Sequence, residues 1–170
     1  MPVLTIANSK GGCGKTTIAT SLAAALAREG LDVGLLDSDP NGGAHRWATT
    51  TYAGSKMASY AEPDKDRLAD LLPVLADRHA VLIADTAGFG NLAATICMVG
   101  ADAILIPVSP GEGDVVEARK TVALSRAWPA LPAAQSPPAS CRTASGEARP
   151  SRDIHCPRSR RSHCPACRRP

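Results

Sequence analysis

KGGCGKTT, residues 10–17, is the stretch that decides the fold of this chain of 170 residues. An ordinary phosphate-binding loop reads Gly, four residues, Gly, Lys and then Ser or Thr. Gly14, Lys15 and Thr16 fit the end of that pattern, whereas Ser9 takes the place of the first glycine and Lys10 adds a second lysine. Glycines let backbone N–H groups converge on phosphate oxygens, and a following helix adds its N-terminal dipole. The stretch therefore predicts a deviant phosphate loop.

The flanks of the loop support this prediction. Residues 3–8 are an apolar run that indicates a buried strand, and after the loop Ile18, Leu22 and Leu26 recur at helical spacing. Residues 32–37 form a second apolar run, which completes a strand–helix–strand crossover unit. A glycine-rich turn with incidental lysines is not expected to have such flanks.

The candidate site residues come from the loop and from acidic strand ends. We expect Lys15 to bridge the β- and γ-phosphates and the Thr16 hydroxyl to bind Mg²⁺. Asp37, Asp39 and Asp85 follow apolar runs, and open α/β sheets bind their ligands at the carboxyl ends of the strands. By itself, an aspartate in such a position can equally be a surface cap. The residues predicted to hold the nucleotide are Gly11, Gly12, Cys13, Gly14, Lys15, Thr16 and Thr17.

Strands and helices alternate as far as residue 128, which predicts an α/β fold with a three-layer P-loop architecture. We expect a mostly parallel sheet of about four strands, ordered second, third, first, fourth, with helices on both faces. The pattern predicts helices over 44–50, 68–75 (despite Pro73), 91–99 and 113–128, strands over 81–85 and 101–108, and irregular structure over 51–65.

Composition restricts the class of protein. Apolar residues make up 44% of the chain and aromatic residues only 3%, so the core must consist of Ala, Val, Leu and Ile. This suits helices packed on a sheet. No apolar run is long enough for a membrane span, and the N-terminus does not read as a secretory signal. We therefore expect no membrane association, reduced cysteines and a cytoplasmic location.

The sequence changes character after Trp128, so we divide the chain into a P-loop domain at 1–128 and a tail at 129–170. Residues 129–170 hold 8 of the 14 prolines, and from 132 onward Ile154 is the sole Val, Ile, Leu, Met or aromatic residue. Residues 141–170 carry 8 arginines and 2 acids, whereas residues 1–140 carry 11 basic and 14 acidic residues. Such a tail cannot build a core, and we expect it to be disordered.

The lysine-led loop at 10–17, the Asp37-Ser38-Asp39-Pro40 turn and residues 81–88 resemble the ParA/MinD family of deviant Walker-A ATPases. The strand that runs into Ile106-Pro107-Val108 and the downstream Asp114 fit the same family. The resemblance spans about residues 2–127. Within the family, the chain is similar to the short ParA-type partition ATPases, and Trp47 lies at a position where such proteins often have a tryptophan. Asn41 replaces the usual glutamine, and Ala87 replaces a frequent proline.

The resemblance implies ATP and Mg²⁺ as cofactors and roles for particular residues. The lysine matching Lys10 reaches across a nucleotide-sandwich dimer to the partner's phosphates. The aspartate matching Asp39 positions the attacking water, so Lys10, Lys15 and Asp39 are the expected catalytic residues. The metal is expected at Thr16, Asp37 and Asp85. Such roles are electrostatic and positional, as phosphoryl transfer requires.

Other branches of the family fit less well. Nitrogenase iron proteins need cluster cysteines after two strands, and Cys97 matches only one of them. MinD-like proteins end in an amphipathic membrane helix, for which the tail has no apolar face.

Family members normally continue past the last predicted helix with further strands and helices. The Arg-, Pro- and Cys-rich stretch here has the composition that a GC-rich gene yields in the wrong reading frame, so we interpret it as a frameshifted or replaced C-terminus that begins between residues 127 and 133. Two alternatives remain for the tail. The CxxC at Cys164 and Cys167 is a possible zinc knuckle, and the arginines are a possible nonspecific nucleic-acid tail.

The sequence therefore leads to two hypotheses of function. In the first, the chain is an ATP-hydrolysing partition protein for plasmids or chromosomes, which forms an ATP-dependent homodimer, binds DNA nonspecifically at the nucleoid and responds to a ParB-like activator. In the second, the chain is an aberrant or truncated ParA-like product that binds nucleotide without turnover, because residues on the base side of the site are missing.

Overall fold

The computed structural model describes residues 2–54, 56–88 and 91–127, in which strands and helices alternate along the chain. The predicted tail at 129–170 lies outside the described residues. The elements are β1 (Val3–Ile6), α1 (Lys15–Arg28), β2 (Val33–Asp37), α2 (Gly43–Thr50), β3 (Met57–Ala61), α3 (Lys65–Arg78), β4 (Val81–Asp85), α4 (Leu92–Val99), β5 (Ala103–Leu105) and α5 (Glu112–Ala127).

The sheet is parallel throughout, with the strand order β3-β2-β4-β1-β5. The predicted order of the four apolar strands is confirmed, because right-handed crossovers leave few other arrangements. Asp85 is paired in register with Ile6 on one side and with Asp37 on the other. The carboxyl ends of the three central strands therefore meet at one edge, which also carries the phosphate loop.

The prediction of irregular structure over 51–65 and of about four strands is wrong, because Met57–Ala61 forms a fifth strand at the edge of the sheet. This strand pairs with β2 from Val33↔Met57 to Asp37↔Ala61. Its sequence, MASYA, is only partly buried and has neither an apolar run nor clean alternation. At the other edge, the strand predicted over 101–108 is limited to Ala103–Leu105.

One apolar core lies on each side of the sheet. One packs α3 and α4 on the strands through Leu68, Leu72, Leu75 and Cys97. The other packs the alanine face of α1, formed by Ala19, Ala23 and Ala27, against the strands, together with Ala44 of α2. Small alanine side chains let α1 lie close to the sheet, which brings the N-terminus of this helix next to the strand ends. The three-layer arrangement predicted for 1–128 is thus present in the described part of that range.

The boundaries of the helices follow from local signals. Asp64 caps α3 by accepting hydrogen bonds from the backbone N–H groups of Asp66 and Arg67, both at 3.0 Å. Pro73 lies inside α3 on its exposed side. None of the helices in the described part of the chain is both long and apolar enough to cross a bilayer.

Candidate nucleotide-binding site

The phosphate loop joins β1 to α1 through a backbone that only glycine adopts readily. Gly12 and Gly14 have φ angles of +75° and +87°, in the left-handed region that disfavours residues with a Cβ. Gly14 is also the residue before α1, and it supplies no side-chain cap. No side chain of the capping residue therefore accepts hydrogen bonds from the first N–H groups of α1. These N–H groups, at the positive end of the helix dipole, are available to an anion.

Lys15 lies inside the loop, with only 7% of its surface exposed. Its Nζ donates a hydrogen bond to the backbone oxygen of Lys10 at 2.8 Å and lies 3.9 Å from the Cys13 Sγ. An ammonium group has three donors and no acceptor, so donors remain for phosphate oxygens. The lysine predicted to bridge the phosphates is thus positioned at the centre of the loop.

Lys10 lies in a different environment. Its side chain is 46% exposed, and its Nζ forms an ion pair with Asp114 Oδ1 in the first turn of α5. The two lysines of the loop therefore point to different partners, one into the loop and one away from it.

Helix α5 also contacts the loop through Ser9. The Ser9 backbone N–H donates to Thr121 Oγ1 at 3.1 Å, and the Ser9 hydroxyl donates to Glu117 Oε2 at 2.8 Å. Asp114, Glu117 and Thr121 recur at helical spacing, so they lie on one side of α5. These contacts of Ser9 were not predictable from the sequence, because the partner residues are more than 100 positions away along the chain.

Asp37 and Asp85 are fully buried at the ends of β2 and β4. Asp37 accepts hydrogen bonds from the backbone N–H groups of Asp39 at 3.0 Å and His45 at 2.9 Å. Burial raises the pKa of Asp37, and these hydrogen bonds partly offset that effect. The carboxylate is therefore oriented by the loop that follows β2 and by the first turn of α2.

Asp85 has no such partners: neither of its carboxylate oxygens accepts a hydrogen bond from any described residue. Burial, followed by the negative charges of Asp37 and Asp39, raises the pKa of Asp85 to about 6. Thr16 and the Lys15 ammonium are near enough to lower this pKa in part, although the Thr16 hydroxyl makes no hydrogen bond of normal geometry with it. A buried carboxylate without a partner is costly unless a ligand satisfies it.

These acidic groups fit a magnesium ion. Mg²⁺ is usually bound by one or two carboxylates together with waters and substrate phosphates, rather than by a cage of protein ligands. The described residues contain no group of three or more His, Cys, Asp and Glu side chains arranged to hold a metal. The carboxylate oxygens of Asp85 have no hydrogen-bond partner among the described residues. Beside Asp37 and Thr16, they could ligate Mg²⁺ or accept hydrogen bonds from its waters.

Asp39 is half-buried and lies at a cavity of about 660 Å³. Its Oδ1 accepts hydrogen bonds from the backbone N–H of Asn41 at 2.8 Å and from Asn41 Nδ2 at 2.9 Å. Gly88 and Asn91, which follow β4, line the same cavity. The cavity thus separates the turn after β2 from the segment after β4 at the carboxyl edge of the sheet.

Cys97 lies on the buried side of α4, and burial raises the pKa of its thiol to about 11. A neutral, inaccessible thiol is a poor cluster ligand, which agrees with setting the iron-protein branch aside.

Known proteins of similar sequence identify the family of this chain. Residues 4–108 match the family described as the CobQ/CobB/MinD/ParA nucleotide binding domain. The chain is 36% identical over 124 residues to the maintenance of carboxysome distribution protein A of Halothiobacillus neapolitanus, covering 70% of this chain and 56% of that protein. It is 32% identical over 110 residues to the protein ParA of Rhizobium radiobacter, covering 65% and 50%. The chain thus spans about half the length of the curated relatives it matches.

Solved structures share the fold. The ATP complex of a Cyanothece McdA variant superposes with a TM-score of 0.64 at 19% identity, covering 75% of this chain and 64% of that one. The Pyrococcus horikoshii MinD with Mg-ADP superposes with a TM-score of 0.58 at 18% identity, covering 74% and 65%. The loop, the buried acidic strand ends and the family match together show that this chain belongs to the CobQ/CobB/MinD/ParA family of P-loop nucleotide-binding proteins.

Proposed function

We propose that this chain binds ATP with Mg²⁺ and hydrolyses it within an ATP-dependent sandwich dimer, as a ParA-like partition protein. One observation carries the proposal: the two lysines of the loop are directed to different places. Lys15 is enclosed by its own loop, whereas Lys10 is partly exposed and held by α5.

The chemistry in one subunit follows from this placement. Lys15 and the N-terminal N–H groups of α1 bind the phosphates and neutralise the charge that develops on them. Thr16, Asp37 and Asp85 would hold Mg²⁺ and its waters, and a bound metal would supply further charge neutralisation. Asp39, at the edge of the cavity, orients the attacking water.

Dimerisation supplies the second lysine. Because Lys10 is 46% exposed, its side chain can leave Asp114 and reach the phosphates held by a second copy without any rearrangement of Lys15. A positive charge delivered across the interface stabilises the transferring phosphoryl group in the way that an arginine finger does.

The partition role rests on the relatives. One protein of similar sequence is named for the maintenance of carboxysome distribution, and another is a protein ParA. We extend this to a cytoplasmic protein that binds DNA nonspecifically as the dimer, at the nucleoid, and is switched by a ParB-like activator. A structure of a MinC:MinD complex from Aquifex aeolicus is among the similar folds and is an example of a partner protein bound to a family member.

A second candidate is a nucleotide-binding module without turnover. The observation that favours it is that the groups assigned in the described residues would bind the phosphates and the metal, and none of them is assigned to the base of the nucleotide.

Measurement of ATP binding and turnover by the purified chain separates the two candidates. We expect phosphate release that requires Mg²⁺ and is lost in Lys15→Ala. Lys56→Ala is the matched control. Lys56 is an exposed lysine that precedes β3, so it lies at the amino ends of the strands, at the opposite edge of the sheet from the phosphate loop. Binding without turnover in the parent chain would favour the module, and absence of binding would contradict both candidates.

A further inference from the structure

Helix α3 carries an exposed acidic stripe, which we define as Asp70, Val74 and Asp77. Spacings of four and three residues place these side chains on one side of the helix, opposite the buried Leu68, Leu72 and Leu75. Val74 is 61% exposed, which is more than any other large apolar side chain described. An exposed valine between two carboxylates is a surface that an apolar and basic partner fits.

Helix α5 carries a stripe of the opposite charge, which we define as Arg119, Val122 and Arg126. Both arginines are exposed, and all three residues line a groove of about 420 Å³ with Val108 and Val115. This basic stripe lies on a different side of α5 from Asp114 and Thr121, which face the phosphate loop.

The two stripes match in register when the helices run antiparallel. Arg119 and Arg126 are seven residues apart, as are Asp70 and Asp77, and seven helical residues span about 10.5 Å. Val122 follows Arg119 by three residues, and Val74 precedes Asp77 by three. Reversal of one helix therefore aligns Arg119 with Asp77, Val122 with Val74, and Arg126 with Asp70.

We propose that the basic stripe of one copy of this chain docks antiparallel on the acidic stripe of a second copy. Two ion pairs then flank a valine pair, so that charge sets the register and the apolar contact adds burial. Within residues 2–54, 56–88 and 91–127, none of the four charged groups already makes an ion pair.

Neighbouring charges do not cancel this complementarity. Arg67 lies seven residues before Val74 on the same side of α3, but in the antiparallel register it falls beyond the end of α5 at Ala127 and faces neither arginine of the basic stripe directly. Arg78 follows Asp77 directly and lies on the flank of the acidic stripe. On α5, Glu117 is on the opposite flank, where it accepts hydrogen bonds from Ser9 and Lys120.

The contact joins different surfaces of the two copies, so it is head-to-tail and extends into a row of molecules unless the rotation closes a ring. A contact of two to three helical turns buries roughly a few hundred Å² per copy, less than the ~800 Å² per partner of stable interfaces. The association is therefore weak, dependent on concentration and sensitive to salt. It needs no nucleotide, because neither stripe includes a residue of the phosphate loop.

Charge reversal provides the test. Variant A carries Arg119→Asp and Arg126→Asp, and variant B carries Asp70→Arg and Asp77→Arg. Sedimentation velocity of the full chain without nucleotide, at about 50 mM salt, should show reversible association that is lost at about 500 mM. Each variant alone should associate at least about tenfold more weakly, since like charges then face each other.

An equimolar mixture of variants A and B should recover association, because the reversed helix of each variant is complementary to the other. The double variant Arg28→Asp and Lys56→Asp, which changes charge to the same extent elsewhere, should associate like the parent chain. Circular dichroism confirms that each variant is folded. A monomeric parent chain at low salt, unchanged association of variant A or B, or a mixture no better than either variant alone would overturn the proposal.

Discussion

Lys10 and Asp114 form an ion pair that joins the start of the phosphate loop to the first turn of α5. The pair occupies the lysine that is proposed to act on a second copy. Asp114 thus competes with the phosphates held by a second copy for the same ammonium group.

Asp114→Asn should strengthen ATP-dependent dimerisation, because it removes this competitor. A partly exposed pair contributes about 0.2–1 kcal/mol, and each of the two copies gives up one pair, so the dimer constant should change by no more than about thirtyfold. Sedimentation with ATP measures this constant, and Glu112→Gln, in the same turn of α5, serves as the control. Weaker dimerisation of Asp114→Asn would mean that the pair supports the dimer.

Lys10→Ala should leave ATP binding by the monomer largely intact and abolish dimerisation, whereas Lys15→Ala should abolish binding itself. The reason is that Lys15 is enclosed by its own loop and Lys10 is not. Nucleotide titration followed by sedimentation with ATP distinguishes the two steps. Equal loss of binding in both variants would show that Lys10 acts within its own subunit.

Gly14→Ala should destabilise the chain by about 1–2 kcal/mol, because φ of +87° disfavours a Cβ. It should also weaken ATP binding, since the loop must distort. Gly11→Ala is the matched control: Gly11 has no positive φ, and an added Cβ would meet nothing within 4 Å. Thermal melting compares the two variants, and equal midpoints would argue against strain at Gly14.

Asp85 should make the metal-free protein less stable as pH rises from about 4 to about 6. The pKa of Asp85 is about 6 in the folded protein, above its ordinary value of 3.8. The folded protein therefore binds more protons than the unfolded chain over this interval, and its stability falls as pH rises. The loss is nearly complete about one pH unit above the folded pKa and is on the order of 3 kcal/mol.

Asp85→Asn should therefore raise the melting midpoint at pH 7.5 in EDTA and have little effect at pH 4. Asp77→Asn, an exposed acid on α3, is the control. A lower midpoint for Asp85→Asn at pH 7.5 would contradict the assigned pKa.

Deletion of residues 133–170 should change the melting midpoint little, because that segment offers almost no apolar area to bury. Retention on DNA at low salt should fall sharply, since 8 arginines and only 2 acids are removed. A drop in midpoint of more than about 5 °C would show that the segment packs on the domain.

Much of the site was predictable because its signals are local. Three glycines and Lys15 specify the loop within eight residues, and apolar runs that end in Asp37 and Asp85 specify the neighbouring strands. Strand order followed from chain connectivity, since right-handed crossovers exclude most alternatives.

Strand β3 was not predictable from MASYA, whose residues lack a strand pattern. It is a strand because the edge of β2 offers it unpaired backbone groups, and these belong to residues more than 20 positions earlier in the chain. Edge strands need less burial than central ones, so hydrophobicity carries little information about them.

The sequence by itself determined which residues are available to phosphate and metal, because those residues act through their own backbone conformation or at the end of their own strand. Only the tertiary structure decided how they are partnered: Lys10 with Asp114, Ser9 with Thr121, and Asp85 with no described partner. The physical reason is that ion pairs, burial and desolvation depend on distances in space. Between residues 9–10 and α5, those distances are set by the packing of the sheet and not by any spacing along the chain.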